Sequence, residues 1–281
     1  EYILTASSNN LKKTALISVS DKTNIIKLAQ VLTQKDYTLL ATGNTAKILL
    51  QNNLPVTEVS ELTGFPEILE GRVKTLHPLI FGGILFKRDD DNHVMQAATH
   101  AITAIDVVCV NLYPFEKVAS NPGSSNEVLI ENIDIGGPSL IRAAAKNHRD
   151  VFVLTSPDQY DEFIVNLQSG KADYAYKQKL AVAAYLHTAH YDTVISITLN
   201  QRLGTNIITD STKTIPLRYG ENPHQNARLD GGFFDFVEIL HGKELSYNNI
   251  LDIVAAVNVT EEFKQPAAAI IKHNNPAGDA L

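Results

Sequence analysis

Short apolar runs alternate with amphipathic helical patterns along most of the chain, and this alternation constrains the fold more than any other feature. Four of the seven side chains in residues 14–20 are aliphatic, which predicts a buried strand. Apolar residues from Ile25 to Leu32 then recur at the spacing of one helix face, and Ser20 or Asp21 is suited to cap that helix. A strand followed directly by a helix is the first half of a βαβ unit.

The same alternation repeats further along the chain. Further strands are predicted at residues 37–41, 54–59, 105–112 and 151–155. Helices are predicted at residues 45–51, 92–103, 138–146, 157–168 and 172–203. Strands that alternate with helices are typical of an α/β fold, so the sequence predicts a mostly parallel sheet with helices on both faces.

Length and composition narrow the class of protein. The 281 residues suit one large domain or two smaller ones, and a formal charge of −7 without a long basic run argues against nucleic acid as a partner. We find no apolar span of about 18 residues and no signal peptide, so we expect a soluble, cytoplasmic protein with no membrane partner. The single cysteine, Cys109, is expected to be a small buried hydrophobic residue. The chain begins at Glu1 rather than methionine, which indicates a start that has been processed or left out.

Four polar clusters stand at predicted strand ends and helix starts, at residues 18–22, 42–45, 111–115 and 134–137. Ligands of open α/β sheets bind beyond the carboxyl ends of the strands, where these clusters would meet. The first two place hydroxyls, backbone N–H groups and Lys22 at helix starts, where the helix dipole favours a phosphate. Each cluster alone is also compatible with ordinary capping and turns, and their convergence is what predicts a binding site.

A compact basic segment, GRVKTLHP at residues 71–78, carries Arg72, Lys74, Thr75 and His77 between a glycine and a proline. Crowded like charges are costly, and an arginine fork matches a phosphate while a lysine adds a point charge. A solvated basic loop is the alternative interpretation. The neighbouring polar clusters favour an anion site.

Two histidines, His187 and His190, lie three positions apart in the long predicted helix, with Asp192 close behind. A metal site would need another ligand at a fixed spacing, and no HExxH or cysteine–histidine set occurs. We therefore expect these histidines to pack or to form hydrogen bonds, and we expect no metal.

An ordered set of motifs resembles one known family. ISVSDK, TGNTAK, SELTGFPE, GRVKTLHP, NLYPF, DIGG and AAAKNH occur in this order across residues 17–148, and RYGENPHQ and KHNNPAG follow at 218–225 and 272–278. They resemble the bifunctional purine biosynthesis enzymes that combine IMP cyclohydrolase with AICAR transformylase. One departure is Asn44, where the family pattern suggests a second glycine. Asparagine tolerates left-handed backbone, so we expect the turn to survive.

The resemblance implies a methylglyoxal-synthase-like cyclohydrolase domain at residues 14–203, after an N-terminal tail at 1–13. A polar stretch without periodicity at 204–216 is the predicted linker, and residues 217–281 resemble the truncated start of a cytidine-deaminase-like transformylase domain. The implied reaction closes formyl-AICAR to IMP with loss of water, the last step of purine synthesis. It needs positioning, acid–base groups and oxyanion stabilisation, but no metal or redox step.

The resemblance also implies roles for individual residues. Its catalytic positions correspond to Lys74, Tyr113, Asp134 and Lys146. A lysine would stabilise the oxyanion, Tyr113 would carry a proton, and an Asp134–Lys146 pair would tune the pKa of each partner. Which group takes the amide proton stays open, and Lys146 is alternatively a cation that favours a helix C-terminus. The substrate and phosphate positions correspond to Ser18, Lys22, Thr42, Gly43, Thr45, Arg72, Thr75, Asn111 and Gly136.

In the second region, the resemblance assigns the transformylase site to Arg218, Tyr219, Asn249, Lys272 and His273, with the last two as its catalytic pair. That reaction uses 10-formyltetrahydrofolate as co-substrate, whereas the cyclohydrolase needs no cofactor. The 65 residues from 217 to 281 are too few for a full core and site, so we expect this polypeptide to lack transformylase activity.

Two alternatives stay open. The same fold serves as a non-catalytic, nucleotide-binding regulatory domain in carbamoyl phosphate synthetase, although such a sensor would not need Tyr113, Asp134 or Lys146. The other alternative is a folded but inactive fragment whose tail disrupts the homodimer that the family forms. Turnover and size-exclusion measurements separate these possibilities.

Overall fold

The computed structural model describes residues 13–280 except 122, 206–214, 221, 223, 230–232 and 234–236. Nearly all of the predicted tail and most of the predicted linker therefore lie outside the described residues. The chain divides into two compact units, Glu1–Thr198 and Leu199–Leu281. None of the described helices is both long and apolar enough to cross a membrane.

Parallel strands form the sheet of the first unit. Within the described residues they are β1 (Lys13–Val19), β2 (Tyr37–Ala41), β3 (Val56–Glu58), β4 (Val107–Asn111) and β5 (Phe152–Leu154). Their order is β3-β2-β1-β4-β5, and all neighbours are parallel. The register pairs Ile17 with Ala41 on one side of β1 and Val19 with Asn111 on the other. The carboxyl ends of β1, β2 and β4 therefore meet at one edge of the sheet.

Helices connect and cover these strands. They are α1 (Ile25–Gln34), α2 (Gly43–Gln51), α3 (Val59–Thr63), α4 (Pro78–Leu85), α5 (Asp91–Thr99), α6 (Phe115–Ala119), α7 (Asn126–Glu131), α8 (Gly136–Lys146), α9 (Tyr160–Ser169) and α10 (Tyr174–Leu203), with 3-10 turns at Leu69–Gly71 and Pro157–Gln159. The strand order runs outward from β1 in both directions, so right-handed crossovers place helices on both faces. The predicted α/β architecture is confirmed.

The core fills the space between the sheet and its helices. Leu16 of the central strand is fully buried, and so are Leu28 and Leu32, whose spacing predicts α1. Cys109 is also fully buried, with its Sγ atom 3.3 Å from the Tyr160 hydroxyl. Burial raises the pKa of the Cys109 thiol to about 12, so this side chain behaves as the small hydrophobic residue that the sequence predicts.

Two local predictions are wrong. Neither Ser20 nor Asp21 caps α1, which begins after Asn24 in a left-handed conformation with φ of 57°. The Asp21 carboxylate instead accepts hydrogen bonds from the backbone and hydroxyl of Thr23, an Asx turn that competes with capping. The predicted strand at 54–59 is shorter because Val59 already begins α3.

The second unit is built from two antiparallel strand pairs and a helix in its described part. β6 (Ile215–Leu217) pairs with β7 (Ala227–Leu229), β8 (Ala268–Lys272) pairs with β9 (Asn275–Ala280), and α11 spans Tyr247–Glu261. Among the described residues of this unit no apolar side chain is buried, and Ile270 is 69% exposed. The assignment of this region to a cytidine-deaminase-like domain stays a prediction.

Candidate functional site

A cavity of about 760 Å³ lies at the carboxyl ends of β1, β2 and β4. This is where the strand order reverses, the place at which open α/β sheets form a crevice. Most of the predicted site residues line it, although they come from distant parts of the sequence. They are Ser18, Lys22, Thr42, Thr45, Arg72, Lys74, Thr75, Asn111, Tyr113, Asp134 and Gly136. The two predicted residues of the first unit that do not line it are Gly43 and Lys146.

Two hydroxyl groups lie next to each other on the wall formed by β1 and the end of β2. Ser18 Oγ and Thr42 Oγ1 share a hydrogen bond of 2.9 Å. Thr45 Oγ1 bonds both the N–H and the carbonyl of Val19, at 3.3 and 3.2 Å. Thr45 therefore fixes the end of β1, while the Ser18 and Thr42 hydroxyls bond each other at the cavity wall.

The turn between β2 and α2 survives the departure at Asn44, but for a different reason than expected. Gly43 has φ of 41°, whereas Asn44 does not adopt a positive φ. The glycine alone supplies the left-handed residue, so position 44 needs no special conformation. The first N–H groups of a helix have no partner within the helix, and α2 therefore offers donors at the cavity edge.

Asn111 holds the loop after β1. Its Oδ1 accepts from the N–H groups of Ser20 at 2.6 Å and Asp21 at 2.8 Å, and its Nδ2 donates to the Asp21 carbonyl at 2.9 Å. The side chain is buried, and these bonds occupy most of its hydrogen-bonding capacity. Asn111 therefore positions the loop that carries Lys22, and its predicted role in substrate binding stays a prediction.

Two lysines share the cavity. The Lys22 ammonium donates to the Val19 carbonyl and, at 3.1 Å, to the Ser20 carbonyl. Burial lowers the pKa of Lys22, and the positive charge of Lys74 lowers that pKa further. The negative charge of Asp21 acts in the opposite direction and raises it. The two cations therefore repel each other in a partly desolvated site, and a bound anion would relieve that repulsion.

The backbone before the basic segment is strained. Leu69, Glu70 and Gly71 have φ of 54°, 56° and 91°, and Ile68 and Val73 form an isolated bridge across them. A left-handed conformation is uncommon for residues other than glycine, and strained backbone of this kind clusters at functional sites. Arg72 and Lys74, which follow this turn in the sequence, both line the cavity.

Carboxylates from elsewhere in the chain engage both cations of this segment. Arg72 forms an ion pair with Glu131, with the two side chains 65% and 52% exposed. Lys74 Nζ lies 3.8 Å from Glu67 Oε1. Sequence reasoning did not find either carboxylate, and Glu131 lies 59 positions from its partner with no pattern to connect them. The Glu131 carboxylate occupies the Nε–Nη2 side of the Arg72 guanidinium, so a phosphate on that side would compete with Glu131.

Asp134 is a half-buried carboxylate with several backbone donors. The N–H of Gly137 donates to Asp134 Oδ1 at 2.8 Å, and a Cβ at position 137 would collide with this carboxylate. Burial raises the pKa of Asp134, and the charge of Lys74 and the N–H groups of Gly137, Tyr113 and Gly136 oppose the increase. Raised carboxyl pKa values are typical of groups that exchange protons at neutral pH.

The other residues around Asp134 differ in exposure. Tyr113 is 42% exposed, whereas Thr75 is only 3% exposed. A Cβ at Gly136 would lie 3.1 Å from the Thr75 hydroxyl, so glycine at this position lets the start of α8 approach that hydroxyl closely. The cavity thus combines an accessible phenol with a half-buried carboxylate.

Lys146 is the catalytic candidate that the structure does not bring to the cavity of Asp134. It is the last of the 11 residues of α8, which spans about 16 Å, whereas Asp134 precedes the first residue of that helix. Lys146 instead lines a second cavity of about 370 Å³ with His148 and Tyr185. The predicted Asp134–Lys146 pair does not form within this chain, and Lys146 occupies a helix C-terminus, where a cation is favoured.

The predicted transformylase residues lie in local structures of the second unit. The Arg218 guanidinium stacks 4.9 Å from the Tyr219 ring and donates to its hydroxyl at 3.2 Å. Hydrogen bonds from Ser246 and Arg218 lower the pKa of Tyr219. Asn249 forms a capping box with Ser246 at the start of α11. The asparagine amide oxygen is therefore engaged in helix capping.

Lys272 and His273 stand at the tip of the β8–β9 hairpin. Lys272 pairs with Asn275, which leaves His273 and Asn274 as the two turn residues, with φ of 51° and 60°. Two positive φ values match the type I′ turns that favour such hairpins. The Asn274 N–H also donates to Asp252 Oδ1 of α11 at 2.7 Å, which ties the tip to the helix.

The histidines of α10 form a local interaction. His190 Nε2 lies 2.7 Å from Glu116 Oε1, as predicted for a histidine that forms a hydrogen bond. Burial lowers the pKa of His187. In the part of the chain that the structure describes, no group of three or more His, Cys, Asp or Glu side chains could hold a metal ion.

The fold and the cavity together define a class: an α/β domain with a polar cavity at the reversal of a parallel sheet. Residues 24–139 match the family described as MGS-like domain, and residues 144–281 match the family described as AICARFT/IMPCHase bienzyme.

Individual relatives point the same way. The chain is 45%, 46% and 48% identical to the bifunctional purine biosynthesis protein PurH of Persephonella marina, Oceanobacillus iheyensis and Rhizobium meliloti. These alignments cover 95% of this chain but only 54%, 54% and 52% of the relatives, so the chain spans about half of their length. A solved structure titled "Crystal structure of ForH" is 32% identical with a TM-score of 0.58, over 69% of this chain and 98% of that one. The chain belongs to the AICARFT/IMPCHase family of bifunctional purine biosynthesis proteins.

Proposed function

We propose that the first unit is an IMP cyclohydrolase, which closes formyl-AICAR to IMP with loss of water. The observation that supports this proposal is one cavity that contains Lys74, Tyr113 and Asp134 beside the paired hydroxyls of Ser18 and Thr42. A phosphate site next to acid–base groups suits a nucleotide whose base undergoes a proton-transfer reaction. Such a cavity also accounts for every bond that the reaction changes.

The phosphate is held at the wall formed by β1, β2 and α2. Lys22 supplies a cation there, the Ser18 and Thr42 hydroxyls supply donors, and the first N–H groups of α2 complete the site. Arg72 joins them, with the phosphate competing with Glu131 for its guanidinium. This places the base of the nucleotide toward Asp134 and Tyr113.

Ring closure begins when the carboxamide nitrogen attacks the formyl carbon. Asp134 takes the proton from this nitrogen, because a half-buried carboxylate with a raised pKa is a stronger base than an exposed one. The formyl oxygen becomes an oxyanion as the carbon–nitrogen bond forms. Lys74, which approaches Asp134 closely enough to influence its pKa, stabilises that oxyanion.

Loss of water completes the reaction. The oxyanion takes up the proton that Asp134 removed, Tyr113 donates a second proton, and the carbon–oxygen bond breaks to release water. The carbon then forms a double bond to the formamide nitrogen, and the proton that this nitrogen loses passes to solvent. A partly exposed phenol suits this role because solvent can return the proton to it between turnovers. No step needs a folate or a metal.

The test is turnover of formyl-AICAR by the purified chain without folate and with a chelator present. Tyr113→Phe should lower kcat by roughly 10²-fold, since positioned acid–base groups contribute 10²–10⁴-fold. Tyr174→Phe is the matched control, because Tyr174 is also partly exposed but lies outside the cavity. Binding of IMP without any turnover would instead identify a nucleotide-binding regulatory domain.

For the whole protein we propose a second activity, transfer of a formyl group from 10-formyltetrahydrofolate to AICAR. The observation that favours it is the family match over residues 144–281. For the 281-residue chain alone we expect no transfer, because the described second unit buries no apolar side chain around Lys272 and His273. Release of tetrahydrofolate from AICAR and formyl-folate would contradict this expectation.

We also propose that the protein acts as a homodimer in the cytoplasm. Exposed apolar side chains on α10, with Val182 61% and Leu186 67% exposed, supply a surface suited to self-association. The free, buried Cys109 thiol suits a reducing compartment. Size-exclusion chromatography with light scattering tests the dimer, and fractionation of cells tests the compartment.

A further inference from the structure

One tyrosine of the long helix α10 contacts the backbone of the segment that carries Asp134. The Asp134 N–H donates to the Tyr191 hydroxyl at 2.8 Å, and that hydroxyl lies 3.4 Å from the Asn132 carbonyl, to which it donates. The hydroxyl thus bridges the segment between α7 and α8. Tyr191 is 57 positions away from Asp134 in the sequence, and no motif points to it.

The ring of Tyr191 packs on the segment that carries Tyr113. It meets the Phe115 ring edge-on, with centroids 6.3 Å apart and planes at 74°. Tyr191 and Phe115 are buried, at 8% and 1% exposure, in a small apolar cluster with Leu129 that is separate from the main core. The N–H of Phe115 donates to the Tyr113 carbonyl at 2.7 Å. The ring of Tyr191 therefore supports Phe115, which a tight turn connects to Tyr113.

We propose that Tyr191 is a positioning residue for the ring closure, because its hydroxyl fixes the backbone of Asp134 while its ring supports the segment of Tyr113. This inference rests on the proposed function of the cavity. Tyr191 does not line the cavity, so it acts through these two residues rather than on the substrate.

Geometry explains why one hydroxyl can matter for the rate. The Asp134 carboxylate is held by the N–H of Gly137, and its main chain is held by Tyr191, so the residue is fixed at both ends. Loss of the hydroxyl leaves a part-buried N–H without its acceptor and allows residues 132–135 to shift. A displacement of about 1 Å in a reacting group can cost up to 10²-fold in rate.

A purely structural role makes a different prediction. If Tyr191 only stabilised the fold, removal of its hydroxyl would lower stability and leave the turnover of the folded fraction unchanged. The two roles are separated by the turnover of the folded variant and by the division of the effect between kcat and KM. Protection of the Asp134 amide against hydrogen exchange tests whether the hydroxyl bridge exists.

The variant is Tyr191→Phe, which keeps the ring and removes the hydroxyl. The matched control is Tyr176→Phe on the same helix, where the tyrosine is buried to a similar degree, 7% exposed, and its ring packs on Phe152 far from the cavity. We expect Tyr191→Phe to lower kcat by roughly 5- to 20-fold with KM changed less than about 2-fold. Tyr176→Phe should leave both constants unchanged.

Hydrogen exchange provides a measurement that does not depend on turnover. In the wild type, the Asp134 amide should be protected, and in Tyr191→Phe it should exchange roughly 10-fold faster, whereas Tyr176→Phe leaves it unchanged. An unprotected Asp134 amide in the wild type overturns the proposal even if Tyr191→Phe fails to fold. Unchanged kcat in a folded Tyr191→Phe variant overturns it as well. A wild type that shows the predicted exchange but closes no ring contradicts the proposed function and leaves the hydroxyl bridge supported.

Discussion

The two units of this chain place their polar residues by different means. In the first unit, Asn111 holds the loop of Ser20 and Asp21, about 90 positions away, because both ends are attached to strands in a buried sheet. In the second unit, Asn249 forms a capping box with Ser246, three residues earlier, at the start of α11. Long-range order requires a core, whereas a capping box needs only its own turn.

Burial follows the same division. Leu16, Leu28 and Ile80 of the first unit are fully buried, whereas the described part of the second unit contains no buried apolar side chain. The cavity with Lys74 and Asp134 is therefore supported by a packed scaffold. Site geometry can be maintained to a fraction of an ångström only when surrounding side chains hold it there.

Separation of the units is expected to give the largest contrast. A chain cut after Gly204 should unfold cooperatively and close formyl-AICAR at a rate within about 2-fold of the intact chain, because all the residues of the cavity precede the cut. Residues 205–281 alone should show no cooperative transition. Calorimetry and the turnover assay measure both pieces. A folded, inactive first piece would break the assignment of the cyclohydrolase to this unit.

The next contrast compares one lysine from each unit, both of which the resemblance assigns to catalytic positions. Lys74→Ala should lower ring-closure kcat by roughly 10²–10³-fold, the range found when an oxyanion donor is removed, with a smaller effect on KM. Lys272→Ala should leave ring closure unchanged, because Lys272 lies at a hairpin tip in the second unit. A Lys74→Ala variant with intact kcat and raised KM would show that Lys74 binds substrate instead.

Packing can be compared directly with one substitution in each unit. Leu16→Ala should lower the free energy of unfolding by about 2–5 kcal/mol, since it leaves a cavity in a close-packed core. Ile270→Ala should change it by less than about 0.5 kcal/mol, because its side chain is already 69% exposed. Urea titration followed by circular dichroism measures both. Equal losses would show that Ile270 is buried in solution.

Sequence patterns located the scaffold more completely than the contacts within it. The apolar run at Tyr37–Ala41 predicts β2 residue for residue, because strand and helix periodicity is a local property. The convergence of four polar clusters also follows from local patterns, once parallel strands place their carboxyl ends together. The Glu131–Arg72 and Tyr191–Asp134 contacts join residues 59 and 57 positions apart, and no local pattern encodes them. The resemblance groups Lys146 with Asp134, whereas within this chain the 11 residues of α8 separate Lys146 from the cavity, and its catalytic role stays a prediction.

Anion binding should depend on Arg72 to a smaller extent than catalysis depends on Lys74. Arg72→Ala should weaken IMP binding by roughly 10-fold, the lower end of the range for a charged hydrogen bond. The loss is small because Arg72 also forms an ion pair with Glu131, which competes with the phosphate. Arg149→Ala is the control, since Arg149 is similarly exposed and pairs with Asp89 at 2.8 Å outside the cavity. Glu131→Gln should tighten IMP binding instead. Titration calorimetry measures the affinity of each variant for IMP. Unchanged affinity in Arg72→Ala would show that the phosphate binds elsewhere.

The smallest expected effect concerns stability at the site itself. Burial raises the pKa of Asp134 above its ordinary value of 3.8, so the folded state binds this proton more tightly than the unfolded state. The contribution of Asp134 to stability is therefore most favourable at low pH, falls as pH rises from 3.8 through the folded pKa, and stays reduced above it.

Asp134→Asn cannot ionise and keeps an oxygen that can accept from Gly137, so it should melt slightly above the wild type at pH 7. The difference should fade at low pH, while turnover at pH 7 is lost. Asp161→Asn, at an exposed ion pair with Lys27, should not raise the melting temperature. Melting curves from pH 3 to 8 test this, and a less stable Asp134→Asn at pH 7 would show that ionised Asp134 supports the fold rather than straining it.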